Sequence, residues 1–359
     1  MKITVVGCGR WGSCIAWYLD RNGHDVTVFG EEDAPTYVGF KENRTNGVVT
    51  FPESIHLTAD LDDALNGAET VVISIPSQNL RTFMQTAKAH DIGNKTFVLC
   101  MKGIEVETGK LLHEVVEEYL PKTSSLAVWV GPGHVQEFVA GHPNCMVIDS
   151  FDKDVTAKLI SEFSSDLIRF YYGTDMIGTE IGSAVKNVIG IAAGILDGLN
   201  RSSLKGALMS RSTFEVARLM KAMGANPFSS FGLCHLGDFE ATVFSEYSHN
   251  RQYGESLVTG CETFGLAEGY YTVAAVKKLA EKYNVDMPIC EAVYDVIYNG
   301  ADVKDSISKL FSRLSSESEN VTPSAKSGRH GMKSSYGYKK FAIYPLHFNE
   351  NCDIIYRLN

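Results

Sequence analysis

Apolar residues fall into two textures along this 359-residue chain. In the first half, short apolar runs of strand length alternate with stretches whose apolar positions recur every three or four residues. Residues 3–6 predict a strand, and residues 11–19 a helix that Asn22-Gly23 ends. Residues 26–29, 71–75, 97–100, 128–130, 145–148 and 168–172 predict further strands, with Pro76 stopping the one before it. Helical pieces are expected at 61–65 and 110–119. This alternation implies an α/β fold, a Rossmann-type doubly wound, mainly parallel sheet with helices on both faces. After Gly173 strand signals vanish and helical periods cover 175–199, 204–223, 268–283, 289–298 and 303–311. The expected division is therefore a dinucleotide-binding domain over 1–173 and an all-helical substrate domain over 174–314. Residues 315–326 are rich in Ser, Glu, Thr and Pro, and 327–340 are basic with Gly and Tyr. A flexible tail over 315–359 follows from that composition, with some strand-like texture at 341–358.

Bulk composition narrows the partners. Hydrophobic residues make up 44% and charged residues 21%, ordinary for a globular protein. The net charge of -10 argues against nucleic acid, which requires a surplus of Lys and Arg. A small anionic substrate needs only a local cluster of cations. No apolar run comes close to a membrane span of about 18 residues, and the first residues read as a strand rather than a signal peptide, so a cytoplasmic protein is expected. The eight cysteines contain no C-x-x-C pair, which suits free thiols in a reducing compartment and offers no metal site.

Chemistry enters at Gly7-Cys8-Gly9-Arg10-Trp11-Gly12. A G-x-G-x-x-G directly after a strand and opening a helix is a dinucleotide turn. Gly7 allows the tight turn, Gly9 the approach of the pyrophosphate, and Gly12 close packing of helix on strand, while the helix N-terminus attracts the phosphates. The second strand ends at Phe29, and Glu31, Glu32 and Asp33 follow. Glu31 stands where an acid binds ribose hydroxyls, and three carboxylates there favour NAD over NADP. The same acids also read as a solvated loop.

A second pattern lies on the helix expected at 175–199. Positions 178, 182, 186, 190, 194 and 198 read Gly, Gly, Lys, Gly, Gly, Gly and form one ridge in steps of four. Interior glycines each cost about 0.8–1 kcal/mol relative to alanine, so something must pack very close: another backbone or a ligand. Lys186, the single charge on this ridge, favours the ligand. A lysine suits hydride transfer to a ketone, because it stabilises the growing oxyanion and can supply its proton. Lys102 follows a predicted strand, at the sheet edge where ligands bind. If the two lysines converge, repulsion lowers the pKa of one of them.

Together these pieces resemble the NAD-dependent glycerol-3-phosphate dehydrogenases. The resemblance runs from Met1 to about Ser312. It is carried by the Gly7–Gly12 turn, Ile75-Pro76-Ser77-Gln78, Lys102-Gly103-Ile104-Glu105, Gly131-Pro132, Lys186-Asn187-Val188, Gly237-Asp238 with Thr242, and Asn250-Arg251. It implies reversible reduction of dihydroxyacetone phosphate to sn-glycerol 3-phosphate by a homodimer. By position, Lys186 would be the proton donor and acceptor, and Lys102 would touch both cofactor and substrate. The cofactor would meet Gly7, Gly9, Arg10, Trp11, Gly12, Glu31, Lys102, Val135, Leu266 and Glu268. The substrate would meet Lys102, Gly131, Gly133, Asn187, Asp238, Thr242, Ser248, His249 and Asn250. Two departures stand out: the family's Gly-Pro-Ser-Phe is Gly131-Pro132-Gly133-His134 here, and its Ser-Arg-Asn is Ser248-His249-Asn250. Arginine and histidine are not equivalent at a bidentate phosphate contact; Arg251, His134 or a protonated His249 would have to compensate. Those departures support a second reading, a related reductase of another small phosphorylated or carboxylated ketone; a third is a non-catalytic dinucleotide sensor. The presence of both lysines speaks against the sensor.

Overall fold

Buried β-branched runs build a single sheet. The computed structural model describes residues 1–262 and 265–312. Its strands are β1 (Lys2–Val6), β2 (Asp25–Phe29), β3 (His56–Thr58), β4 (Thr70–Ile73), β5 (Thr96–Leu99), β6 (Ser125–Val130), β7 (Asn144–Asp149) and β8 (Ile168–Tyr172). They lie in the order β3-β2-β1-β4-β5-β6-β7-β8. All neighbours are parallel except β6 and β7, which pair antiparallel. The strand order reverses between β1 and β4, and ligands of such sheets bind at the carboxyl ends of the strands beside that point. The turns that end β1, β4, β5 and β6 carry Gly7, Ser77, Lys102 and Gly131, so four predicted motifs meet along one edge.

The helices among the described residues are α1 (Arg10–Arg21), α2 (Pro35–Asn43), α3 (Leu61–Leu65), α4 (Leu80–Ala87), α5 (Leu112–Glu117), α6 (Val135–Val139), α7 (Lys153–Phe163), α8 (Met176–Gly198), α9 (Lys205–Ala222), α10 (His249–Thr259), α11 (Glu268–Tyr283), α12 (Pro288–Tyr298) and α13 (Val303–Ser312). Two apolar clusters cover the faces of the sheet, one containing Ile3, Val28, Trp129 and Phe163 and the other Val71, Ile73, Phe97 and Leu112. A third is centred on α8, with Val188 and Ile191 packed near Val216, Phe239 and Val276.

Helix α8 is apolar and long enough to cross a membrane by composition, yet it lies almost wholly inside the protein. Leu and Ile alone do not define such a run, because glycines and alanines contribute to it. The glycine ridge has a protein answer. A Cβ on Gly194 would stand 1.8 Å from the Arg251 carbonyl, and one on Gly254 would stand 2.0 Å from the Ile191 carbonyl. The backbones of α8 and α10 therefore touch, and a methyl on either face would force them apart. The ligand expected along the ridge is replaced there by α10, a polar helix whose sequence gave little helical signal.

Seven cysteines are described and all are free; Cys8, Cys14, Cys100, Cys234 and Cys290 are buried, while Cys261 is exposed. Cys352 and the tail expected over 315–359 lie outside the described residues.

Candidate active site

The dinucleotide turn has the geometry its glycines require. Gly7 takes φ +102, and a Cβ there would stand 2.4 Å from the Ser74 carbonyl. A Cβ on Gly12 would stand 2.0 Å from the Gly7 carbonyl, whereas Gly9 has no atom within 4 Å of its Cβ position. Gly9 also caps α1 without any side-chain hydrogen bond, and the first turn holds no acid. The N–H groups of that turn are thus open to an anion. Trp11 follows, its buried Nε1 lacking a partner and its ring tilted against Phe138 at 5.9 Å. An open cradle and an orphaned donor fit a dinucleotide pyrophosphate. Glu31 lies exposed just past β2. Lys41 pairs with Glu32 at 3.3 Å, so the cation nearest in sequence is already engaged.

The two lysines converge on one carboxylate. Lys186 Nζ lies 2.5 Å from Asp238 Oδ2, and Lys102 Nζ lies 2.8 Å from the same oxygen. Lys186 also donates to Thr242 Oγ1 at 2.8 Å, and Lys102 to the Gly131 carbonyl at 2.7 Å. Lys186 is 5% exposed and Asp238 1%. Burial lowers the Lys186 pKa to about 7; the carboxylate of Asp238 opposes this and the charge of Lys102 adds to it. Burial wins because a single carboxylate shared by two ammonium groups cannot replace the water that each has lost. Asp238 Oδ1 is buried without a partner. One orphaned acceptor beside an ammonium poised near neutrality is an arrangement for meeting a hydroxyl and trading its proton.

An amide relay holds this centre in place. The Gly269 N–H donates to Asn250 Oδ1 at 2.9 Å, Asn250 Nδ2 to Asn187 Oδ1 at 3.1 Å, and Asn187 Nδ2 to the Lys102 carbonyl at 2.8 Å. Three helices and the loop after β5 are linked through two side chains. Nearby, the Glu268 carboxylate accepts from the Ser77 N–H at 3.0 Å and from the Ser77 hydroxyl. It fastens the loop after β4 to the start of α11. Ser77 came forward in the sequence only as part of a motif, and its acidic partner 191 residues away left no local signal.

Several residues expected at the substrate also have structural work. Ser248 caps α10, its Oγ accepting from the Arg251 N–H at 3.3 Å. Arg251 pairs with Asp197 at 2.6 Å and with Glu255 at 3.4 Å, so it does not stand in for the missing arginine. Gly133 takes φ +138, and a Cβ there would stand 2.4 Å from the Phe138 ring. The serine of the usual pattern has no room at this turn. His249 is half-buried beside Arg10, and burial together with the Arg10 charge pushes its pKa down. Neither effect favours the protonated form that a lone phosphate contact would require. Val135 is buried at the start of α6, and Leu266 is exposed near the start of α11.

Comparisons with known proteins agree on one likeness. Residues 2–156 match the family described as NAD-dependent glycerol-3-phosphate dehydrogenase N-terminus, and residues 175–308 match the corresponding C-terminus. The chain is 35% identical over 335 residues to a Bacillus anthracis glycerol-3-phosphate dehydrogenase (NAD(P)+), covering 90% of this chain and 98% of that one. A Bacillus thuringiensis enzyme of the same name is 34% identical over the same coverage. The crystal structure of a glycerol-3-phosphate dehydrogenase from Coxiella burnetii superposes with a TM-score of 0.82 at 28% identity, covering 87% of this chain and 99% of that one.

Proposed function

The chain belongs to the NAD-dependent glycerol-3-phosphate dehydrogenase family, and from that premise we propose how its residues divide the work. It is an oxidoreductase that uses a nicotinamide dinucleotide to interconvert dihydroxyacetone phosphate and sn-glycerol 3-phosphate. When bound, the nicotinamide supplies the hydride in reduction and accepts it in oxidation.

Lys186 carries the proton. As a ketone oxygen gains negative charge it must be neutralised, and an ammonium with a pKa of about 7 gives up its proton more readily than an ordinary lysine. In oxidation the neutral amine takes the proton from the alcohol. Asp238 and Thr242 aim the Lys186 Nζ, and Lys102 is held between Asp238 and the Gly131 carbonyl, where its charge keeps Lys186 poised. Asn187 and Asn250 position rather than react, because a carboxamide does not exchange its protons near neutrality and both are held in the relay. The convergence of both lysines on Asp238 carries this reading. Mixing the protein with NADH and dihydroxyacetone phosphate and following reduced-nicotinamide absorbance tests it: rapid oxidation is expected, and none with this ketone overturns it.

The cofactor turn is proposed to prefer NAD. Glu31 follows β2 with Glu32 and Asp33, so a 2′-phosphate would approach three carboxylates. We expect kcat/KM for NADH to exceed that for NADPH by at least about tenfold. Glu31→Gln should narrow the gap several-fold by weakening NADH and easing NADPH. An unchanged ratio would remove Glu31 from the ribose site.

The remaining parts of the proposal concern organisation. The change from strand–helix alternation to helices alone, between β8 and α8, supports a cofactor part ending near Gly173 and a substrate part after it. Buried free thiols suit action in the cytoplasm. The family resemblance supports a homodimer.

A further inference from the structure

The cleft has a second cationic corner that the lysine chemistry leaves unused. Arg10, the first residue of α1, is half-buried, and its Nη1 lies 3.4 Å from His249 Nε2 on the first residue of α10. Among the described residues no carboxylate pairs with Arg10; burial lowers its pKa, and Tyr247 opposes this only in part. His134 packs edge-on against that tyrosine, ring to ring at 5.6 Å, and its buried Nε2 has no partner. His134 stands three residues past Gly131, whose carbonyl accepts from Lys102 Nζ at 2.7 Å, which ties this corner to the lysine centre.

A partly desolvated guanidinium normally meets a carboxylate. Arg81 does so with Glu105 and Glu118, and Arg251 with Asp197 and Glu255. Arg10 meets only an imidazole that cannot neutralise it. Protonation of both His249 and His134 is disfavoured, by burial first and by Arg10 as well. The corner thus holds one fixed positive charge, neutral imidazole nitrogens and an orphaned donor or acceptor, with the counter-charge missing. It also joins the anion-binding turn to the start of α10.

We propose that Arg10, with His249 beside it, forms a phosphoryl clamp in which the guanidinium comes from the cofactor turn instead of from the start of α10. This rests on the reading that the ligands of this cleft carry phosphates. A planar guanidinium fork matches two oxygens of a phosphoryl group, and His249, whose Nε2 accepts from Arg10 while its ring also bonds the Leu266 backbone, aims that fork. That phosphoryl group belongs either to the triose phosphate or to the dinucleotide pyrophosphate. His249 is then no loss of the clamp, because the charge has moved to the facing element.

The test uses the full chain with Arg10→Ala, Arg10→Lys and the double variant Arg10→Ala/His249→Arg. Two constants are read: KM for dihydroxyacetone phosphate at saturating NADH, and Kd for NADH by fluorescence titration. Arg10→Ala is expected to raise one of them by about 10- to 30-fold, the size of a lost charge-assisted hydrogen bond. Arg10→Lys should recover only part of this, and the double variant most of it. A rise in KM alone assigns the clamp to the triose phosphate, and a rise in Kd alone to the pyrophosphate. Constants unchanged within about twofold, or a loss that neither Lys nor the relocated Arg recovers, would overturn the clamp. If the unaltered protein binds NADH but leaves dihydroxyacetone phosphate unreduced, the proposed substrate fails by itself. The clamp is then judged on Kd for NADH and on calorimetric binding of inorganic phosphate, either of which must weaken in Arg10→Ala.

Discussion

Lys186→Met is expected to lower kcat for dihydroxyacetone phosphate reduction by about 10³-fold, within the range for losing a positioned general acid. The fold should survive. Methionine is close to the lysine stem in length, suits a position that is 5% exposed, and brings no charge. Asp238 is not stranded, because Lys102 still lies 2.8 Å from its Oδ2. The affinity for NADH should change little, since the cofactor turn is formed by α1 and the strand ends. Stopped-flow turnover and a fluorescence titration separate the two quantities. A variant that keeps kcat within tenfold of the parent would remove Lys186 from the chemistry. Lys186→Arg should be nearly as poor, because a guanidinium does not release its proton at neutral pH.

Asp238→Asn has the second-largest expected effect, and its signature is a shifted titration. The carboxylate opposes the burial that lowers the Lys186 pKa. Without it, that pKa should fall by a further one to three units. A weaker base and a less firmly aimed amine together should reduce kcat/KM by about 100-fold at neutral pH. Both directions of the reaction fall by the same factor at a given pH, because the overall equilibrium is unchanged. Stability should suffer by only about 1–2 kcal/mol, less than for most broken buried pairs, because Lys186 can lose its proton instead of remaining as a buried charge. Thermal unfolding at pH 7 and pH 6 checks this. Sign matters here: in the variant the folded pKa lies further below the unfolded value, so the protein loses stability as pH falls through neutrality.

Much of the frame was legible because strand burial and turn chemistry are local. β1, β2 and β8 fall within a residue of the apolar runs that predict them, and α11 spans the predicted residues. Elements with polar or short patterns were not legible. β3 is three residues long, and α10 has almost no apolar stripe. α10 is stable because glycines on both helices let its backbone reach α8, and such a contact appears in the sequence only as an unexplained ridge. The site divides in the same way. The turn and the two lysines stood out as residue types in context. That Asp238 binds both lysines, that Ser248 is a cap, and that Arg10 faces His249 across 239 residues are results of tertiary approach. The antiparallel pairing of β6 with β7 had no signal either, since a buried strand reads the same in both directions.

The most direct measurement of the central claim is the pH dependence of kcat/KM for dihydroxyacetone phosphate from pH 5.5 to 9, in the parent and in Asp238→Asn. Lys186 must be protonated for reduction, so the parent profile should be level in acid and fall about tenfold per unit above a pKa of about 7. Oxidation of glycerol 3-phosphate should show the mirror image, rising to that pKa and then levelling. In Asp238→Asn the same limb should move to lower pH. The substrate's own phosphate also titrates near neutrality, at about 6, but its limb is unaffected by a change in the protein. A limb that stays at the same pH in both proteins, or a profile flat through pH 9, would contradict a proton carried by Lys186 under the control of Asp238.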